Sequence, residues 1–417
     1  MEKFDAIIVG GGPAGLLAAG RAAELNCKVL LAEKMNRPGN KLLLTGKGRC
    51  NITNDAPISE FLKKIYPNGK FLKNAFSNFF SDDIIRLLNH YGVETTLERG
   101  GRYFPLSNKS SDVLKGLKKW LDDTKAEIIY NCKVENILID DKKVIGIEAN
   151  GEKILCNKLI LATGGRSYPA TGSTGDGYEL AKRAGHTITK PLPSLVPLET
   201  TGNIPGKLEG LALKNVSAIV WINNRKKYEE FGEMLFTSFG LSGPIILTLS
   251  RNVVIALENK QKAEITIDLK PALDDKKLDN RLLREFNENG KKKISNVLKH
   301  LLPSSMIPVF LELTGINPDK ECHQVSAKER KRLRFYLKNL PFQIRGYRPF
   351  KEAIITAGGI PTTEISSKTM ESKLIKGLYF AGEIIDLDGE TGGYNLQIAF
   401  STGWLAGNSC ISHKKNS

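Results

Sequence analysis

The sequence predicts an α/β fold: a domain of strands and helices, interrupted by a β-rich insert that carries helices of its own. Three observations predict it. Near the N-terminus an apolar strand runs into a glycine turn and a helix, Phe4-Asp5-Ala6-Ile7-Ile8-Val9-Gly10-Gly11-Gly12-Pro13-Ala14-Gly15. A second glycine turn, Ala162-Thr163-Gly164-Gly165, follows a run of short strands. Prolines 191, 193 and 197 mark a boundary, and the glycine-rich style returns only at Thr356-Ala357-Gly358-Gly359 and Gly382-Glu383.

The first motif sets the architecture. Residues 6–9 are an apolar run of the buried parallel-strand kind. They stop at Gly10-x-Gly12-x-x-Gly15, a helical stretch follows over 16–25, and a second apolar strand over 27–32 ends in Glu33. Gly10 allows the tight turn, and Gly12 lets the backbone approach a pyrophosphate. Gly15 lets helix and strand pack closely, and the helix N-terminus faces the phosphates. Glu33 stands where an acid accepts from ribose hydroxyls. Strand, helix, second strand and acid together meet the context test for a dinucleotide site. The alternative is a glycine turn without a ligand.

Composition narrows the class. The chain has 417 residues, 41% hydrophobic and 25% charged, an ordinary globular balance with length for two or three domains. A strand that starts by residue 4 leaves no room for a signal peptide, and no run of about 18 apolar residues suggests a membrane span. Cys27, Cys50, Cys132, Cys156, Cys322 and Cys410 form no CxxC pair, which reads as reduced thiols in a cytoplasmic protein. The five histidines show no metal-ligand spacing, so no metal is expected. The net charge of +16 suits nucleic acid, acidic membranes or anionic substrates, or else a solvated lysine-rich surface.

Taken in order, residues 37–51 form a loop with three glycines and four cations, able to wrap a ligand and place charge on phosphates. Residues 81–90 read as a helix with Ser81 as N-cap and Gly92 just past its end. Gly101-Arg102-Tyr103-Phe104-Pro105 has no helical period, and 111–121 is a second amphipathic helix. Runs at 127–130, 133–139, 144–149 and 152–156 read as a meander of hairpins leading to the strand before Ala162. A glycine and serine loop over 167–177 precedes a helix to Ala184.

Beyond the prolines, 216–222 and 263–269 look like strands, and 274–287, 293–301 and 304–313 look like helices. Ser326-Ala327-Lys328-Glu329 is a capping box opening another. Residues 193–350 hold 26 Lys and Arg against 17 Asp and Glu, a net +9 of the chain's +16. The densest stretch is Lys328, Arg330, Lys331, Arg332, Arg334 and Lys338. A final helix is expected over 396–406.

The glycine motifs together select the cofactor. With Ala162-Thr163-Gly164-Gly165 and Gly377-x-Tyr379-x-x-Gly382-Glu383-x-x-Asp386, the chain resembles two-dinucleotide-fold, glutathione-reductase-like flavoproteins, in which the last motif closes over the flavin's ribityl and pyrophosphate. FAD is long, so distant segments must converge on it. Gly172-x-x-Gly175-x-Gly177 follows a loop and not a strand, so it fails the context test for a second dinucleotide site. No dedicated NAD(P)H domain is recognisable. NAD(P)H must visit the flavin transiently, or the electrons come from the substrate.

A narrower resemblance covers essentially the whole chain. Lys41-x-x-x-Thr45-Gly46-x-Gly48-Arg49-Cys50-Asn51-x-Thr53-Asn54, Phe236-Thr237-x-x-Gly240-Leu241-Ser242-Gly243-Pro244, Thr356-x-Gly358-Gly359 and Gly382-Glu383-x-x-Asp386-x-x-Gly389-x-x-Gly392-Gly393-Tyr394-Asn395 look like the BaiN/RdsA family of flavoproteins. The resemblance implies an FAD domain (1–192 and 346–417), a β-barrel-like domain (193–271 and 326–345) and a helical cap (272–325). It implies FAD contacts from Gly10, Gly12, Pro13, Ala14, Gly15, Glu33, Lys34, Lys41, Thr45, Gly46, Gly48, Arg49, Asn51, Val134, Ala162, Thr163, Gly164, Gly382, Glu383, Asp386, Gly393, Asn395 and Leu396. It also implies oxidoreductase activity on divergent substrates: bile-acid enones, aminoacetone, or a ribosomal RNA uridine reduced to dihydrouridine. Ser238 departs from the family pattern, which has His after Phe-Thr, so any proton-donor role there is vacant or moved.

For a reduction, hydride reaches the β-carbon of an unsaturated carbonyl and a protein acid protonates its neighbour. Cys50 is the candidate acid, because Lys47 and Arg49 in its loop would lower a thiol pKa; the alternative is a packed structural thiol. Tyr394 and Asn395 are candidates to bind flavin edges or substrate carbonyls. Arg102 and Tyr103 are candidates for a substrate entrance. Arg330, Lys331, Arg334, Arg345 and Arg348 are candidates for a phosphate-binding surface, the reason to favour ribosomal RNA over a small neutral substrate. The rivals are a small-molecule oxidase or enone reductase, and a non-enzymatic flavin-containing RNA-binding factor.

Overall fold

A computed structural model describes residues 3–409. The chain divides into two compact units. One comprises the residues up to Pro193 and those from Phe350 onward, and the other is Ser194–Pro349.

In the first unit, strand β1 (Lys3–Val9) leads through the glycine turn to α1 (Pro13–Glu24) and β2 (Val29–Ala32). Helices α2 (Ser81–His90) and α3 (Ser110–Asp123) follow. Ser81 is not the cap of α2 but its first residue. Phe80 occupies the cap position, its N–H donating to the Asp83 carboxylate at 2.7 Å, while Ser81 Oγ donates to the Asn54 carbonyl at 2.8 Å. Strands β3 (Glu127–Ile129), β4 (Val134–Asp140), β5 (Lys143–Ala149) and β6 (Glu152–Leu161) come next, then helix α4 (Asp176–Arg183).

The expected meander of four runs needs correcting. Only β4, β5 and β6 form one. β3 lies at the opposite end of the sheet, parallel to β2. The runs over 152–156 and before Ala162 are one continuous strand, β6, with two roles. Residues 152–155 pair antiparallel with β5, and residues 155–161 pair parallel with β1.

In the second unit, six strands close a barrel: β7 (Leu198–Thr200), β8 (Ala212–Ile222), β9 (Arg225–Thr237), β10 (Gly240–Ser242), β11 (Ala263–Asp268) and β12 (Leu340–Tyr347). Helix α5 (Pro244–Glu258) follows β10, and α6 (Asp275–Glu288), α7 (Met306–Thr314) and α8 (Ala327–Lys338) lie between β11 and β12. These helices share one apolar core with the barrel, including Phe236, Ile265, Leu282, Phe310 and Leu333. The expected helix over 293–301 is a short turn, Ile294–Val297, running into a tighter one, Leu298–His300.

The chain then completes the first unit with β13 (Ile355–Gly359), β14 (Leu378–Phe380) and helix α9 (Tyr394–Ser409). β14 pairs parallel with the end of β6. α9 lies directly on α1: a Cβ on Gly403 would sit 2.2 Å from the Ala14 carbonyl oxygen, and one on Gly407 2.5 Å from that of Ala18. Only glycine permits that approach. Among the described residues no helix is long and apolar enough to cross a membrane.

Candidate functional site

The parallel strands determine where a ligand can sit. Val9 is in register with Ala32 and Leu161, and Leu161 with Phe380. Four strands therefore end at one edge, and the segments after them meet there. Ligands of open α/β sheets bind outside such carboxyl ends. A cleft of about 1320 Å³, counting its open mouth, runs along this edge. Gly10, Gly12, Pro13, Ala14, Glu33, Lys34, Lys41, Thr45, Val134, Ala162, Thr163, Gly164, Gly382, Glu383, Asn395 and Leu396 all line it.

Three parts of the cleft have distinct chemistry. At the first, α1 starts at Gly12 with no side-chain cap, so its N-terminal N–H groups remain available to an anion. A Cβ on Gly12 would meet nothing within 4 Å, so the space before it is open; one on Gly15 would sit 1.8 Å from the Gly10 carbonyl oxygen. At the second, Glu33 is held in place by backbone donors: Gly11 N–H at 2.6 Å on one oxygen and Met35 N–H at 2.7 Å on the other. A carboxylate has about four acceptor sites, so capacity for ribose hydroxyls remains.

The third part is a charged network. Lys41 Nζ lies 2.5 Å from Glu383 and 2.5 Å from Ser167 Oγ. The other Glu383 oxygen accepts from Ser167 Oγ and from the Thr356 N–H, both at 2.9 Å. Thr356 Oγ1 in turn accepts from the Arg166 N–H at 2.8 Å. The loop after β2, the loop after β6, β13 and the turn after β14 are thereby tied together in the cleft wall. Lys34 is committed differently, to Asp176 at 2.8 Å and Thr174 at 2.6 Å.

The remaining expected contacts do not line the cleft. Gly15 packs against the glycine turn. Gly46 and Gly48 shape the turn Thr45–Gly48 with φ of +57° and +85°. Arg49 reaches Asn108 and Glu98, with its guanidinium 4.2 Å from the Phe104 ring. Asn51, oriented to satisfy both ends of its amide, accepts from Gly393 N–H at 3.0 Å and donates to the Thr53 carbonyl at 3.2 Å. Asp386 is buried. Cys50 is fully buried, and burial pushes its thiol up to about 12 in spite of a hydrogen bond with Thr45. The expected lowering by Lys47 and Arg49 does not occur, because the loop turns the thiol inward and both cations away from it.

Tyr394 packs edge-on to Phe61 at 4.7 Å, and burial raises its hydroxyl pKa. The Asn395 amide braces its own loop, accepting from Gly389 N–H and donating to the Gly389 carbonyl, each at 2.8 Å. Tyr103 donates to Asp55 at 3.1 Å, and Arg102 donates to the Arg99 carbonyl at 3.0 Å. In the second unit, Arg330 and Arg334 pair with Asp279, while Arg345 and Arg348 flank Glu199 at 3.5 and 2.9 Å. Lys331 is exposed. Ser238 is exposed between β9 and β10.

Sequence reasoning missed part of the cleft wall. Ser173 and Asp176 come from the glycine loop that fails as a second dinucleotide motif, yet they line this cleft. Their position just after Ala162-Thr163-Gly164-Gly165 was the available signal. Arg37, Asn40 and Lys133 also line it. Among the described residues no group of three or more His, Cys, Asp or Glu could hold a metal, and Cys410 lies outside them.

The residues present fit a flavin dinucleotide. The uncapped α1 terminus, the open space at Gly12 and the anchored Glu33 suit pyrophosphate and ribose. Thr163 lines the cleft, while its Oγ1 is turned to α4, where a Cβ on Gly177 would sit 1.9 Å from it.

Comparison with known proteins agrees. Residues 4–409 match the family described as HI0933-like protein Rossmann domain. The chain is 31% identical over 421 residues to a ribosomal RNA dihydrouridine synthase of Escherichia coli strain K12, covering 100% of both. It is 30% identical over 402 residues to a 3-dehydro-bile acid delta(4,6)-reductase of Clostridium scindens, covering 96% of this chain and 97% of that one. A 3-ketosteroid delta1-dehydrogenase from Sterolibacterium denitrificans shares the fold, with a TM-score of 0.52, 14% identity, and 99% and 100% of the two chains covered. The chain belongs to the HI0933-like Rossmann family and is an FAD-dependent oxidoreductase.

Proposed function

We propose that the protein reduces the C5=C6 double bond of a uridine in ribosomal RNA to dihydrouridine, with NAD(P)H as electron donor. The observation that carries this reading is the match, over the full length of both chains, to a relative named ribosomal RNA dihydrouridine synthase. The net charge of +16 favours a polyanionic substrate over a neutral one. In the net reaction uridine gains a hydride at C6 and a proton at C5, and one NAD(P)H and one proton are consumed.

Bound FAD supplies the hydride chemistry that no side chain has. The chain's own contribution is to hold and orient. The α1 terminus and Gly12 would receive the pyrophosphate, Glu33 would accept from ribose, and the Lys41–Glu383 network braces the cleft wall. The buried Cys50 thiol stays protonated at neutral pH but does not line the cleft, so another group delivers the proton.

The test is mass spectrometry of ribosomal RNA from a deletion strain. One uridine is expected to lose its two extra mass units and to regain them when the gene is restored. A ribosomal RNA that keeps all its dihydrouridine without this protein sinks the reading. The relative named as a bile acid reductase supports a second reading, an enone reductase for a small molecule. That reading expects substrate-dependent turnover of NAD(P)H with no RNA present.

A further inference from the structure

The cations of α8 fall into two sets. Arg330 lies 3.1 Å from Asp279, Arg334 lies 3.4 Å from Asp275 and from Asp279, and Lys338 lies 2.5 Å from Asp268. These pairs tie the helix to α6 and the barrel. Lys328, Lys331 and Arg332 are exposed, and among the described residues none of them has an ion-pair or hydrogen-bond partner. Spacings of three and four residues put these three and Phe335 on one helical face. Phe335 is 54% exposed, with its ring edge-on to Tyr336 at 5.5 Å. Leu333 and Leu337 fill the opposite, buried side. The helix's single acid, Glu329, is turned into the capping box and toward Lys320. The outward row is therefore cationic and ends in an exposed ring.

We infer that this face binds single-stranded RNA, with the three cations on phosphates and Phe335 stacked on an unpaired base. It rests on the ribosomal RNA reading above and names a surface of the Ser194–Pro349 unit for that RNA. Cations alone would suit any polyanion; a ring at the C-terminal end of their row adds the stacking platform that single-stranded nucleic acids use. The face differs from the one expected from sequence, since Arg330 and Arg334 are neutralised by Asp279 and Lys328, Arg332 and Phe335 take their place.

The holoenzyme is titrated with a short fluorescein-labelled single-stranded RNA at several salt concentrations. Changing Lys328, Lys331 and Arg332 together to Glu is expected to lower affinity at least tenfold. It also flattens the slope of log affinity against log salt by about 2, from roughly 0.7 per phosphate contact. Phe335→Ala lowers affinity about fivefold or more and leaves the slope alone. A charge-matched control changes Lys70, Lys73 and Lys119, exposed cations of the other unit, to Glu. Retained flavin absorbance and melting temperature show that each variant is folded. Equal losses from the two triple variants overturn the inference, as does an unchanged affinity in Phe335→Ala. The ribosomal RNA reading is judged separately: dihydrouridine that persists in the deletion strain defeats it whatever the binding data, whereas dihydrouridine lost on deletion with equal binding by both triples defeats the face alone.

Discussion

Helices α1 and α8 begin in opposite ways. At α8 the capping box is complete: Ser326 Oγ accepts from the Glu329 N–H at 3.3 Å, and the Glu329 carboxylate accepts from the Ser326 N–H at 2.8 Å. Burial alone would push the Glu329 carboxyl up, but hydrogen bonds from Lys320 and Ser326 hold it down at about 2. At α1 the first helical residue is Pro13, which has no N–H, and no side chain caps the rest. Every helix start leaves four N–H groups without an internal partner. The α8 start is closed by its own side chains; the α1 start, like those of α3, α4, α5 and α7, has no side-chain cap, and it opens into the cleft through Gly12 and Pro13.

That contrast can be broken in stages. The largest effect is expected from Gly15→Val. Its side chain would enter the Gly10 carbonyl, and a loss of about 4 kcal/mol or more should appear as a collapsed melting temperature even without flavin. Gly12→Val separates binding from folding: the space is open, so apoprotein stability should hold while FAD affinity, measured by fluorescence titration, falls about 100-fold, roughly 3 kcal/mol. Equal stability losses from both glycine variants would remove the distinction between a packing glycine and a ligand glycine.

Lys41→Met strands Glu383 in the cleft wall without its cation. About 2 kcal/mol of stability should be lost in urea titration, since both side chains keep some solvent. At the closed helix start, Ser326→Ala should cost about 1 kcal/mol and leave flavin affinity unchanged.

The smallest expected effect is a slope. His186 is sealed between Glu364 at 2.7 Å and Ser372 at 2.9 Å. Burial lowers its pKa below 6.5, with Glu364 opposing. The unfolded chain therefore takes up this proton first as pH falls, so stability is full above about 6.5 and declines below it. His186→Asn should melt lower at neutral pH but show a flatter decline between pH 7 and 5 by scanning calorimetry.

Contiguous patterns were legible, and directions were not. Gly10, Gly12, Glu33, Ala162, Thr163 and Gly382 line one cleft because each follows a strand, and parallel strands bring their ends together. Arg49 and Cys50 were misread because the loop carries positive φ at Lys47 and Cys50, +57° and +60°. That backbone decides which way each side chain faces. β3 looked like a meander strand because a three-residue run carries no information on its partner. α5 escaped notice since Ile245, Ile246, Val253, Val254 and Ile255 are β-branched, and burial on the barrel outweighs that preference. Arg330 and Arg334 looked free because Asp279 is some 50 residues away in sequence.

The contact of α9 on α1 has a consequence for how the enzyme is made. The helix that presents Gly12 emerges early from the ribosome. Its backing, Gly403 and Gly407, and the last wall of the cleft, Gly382 and Glu383, come only after the whole Ser194–Pro349 unit has been synthesised. A nascent chain therefore carries a half-built nucleotide site until that unit and the segments after it have emerged.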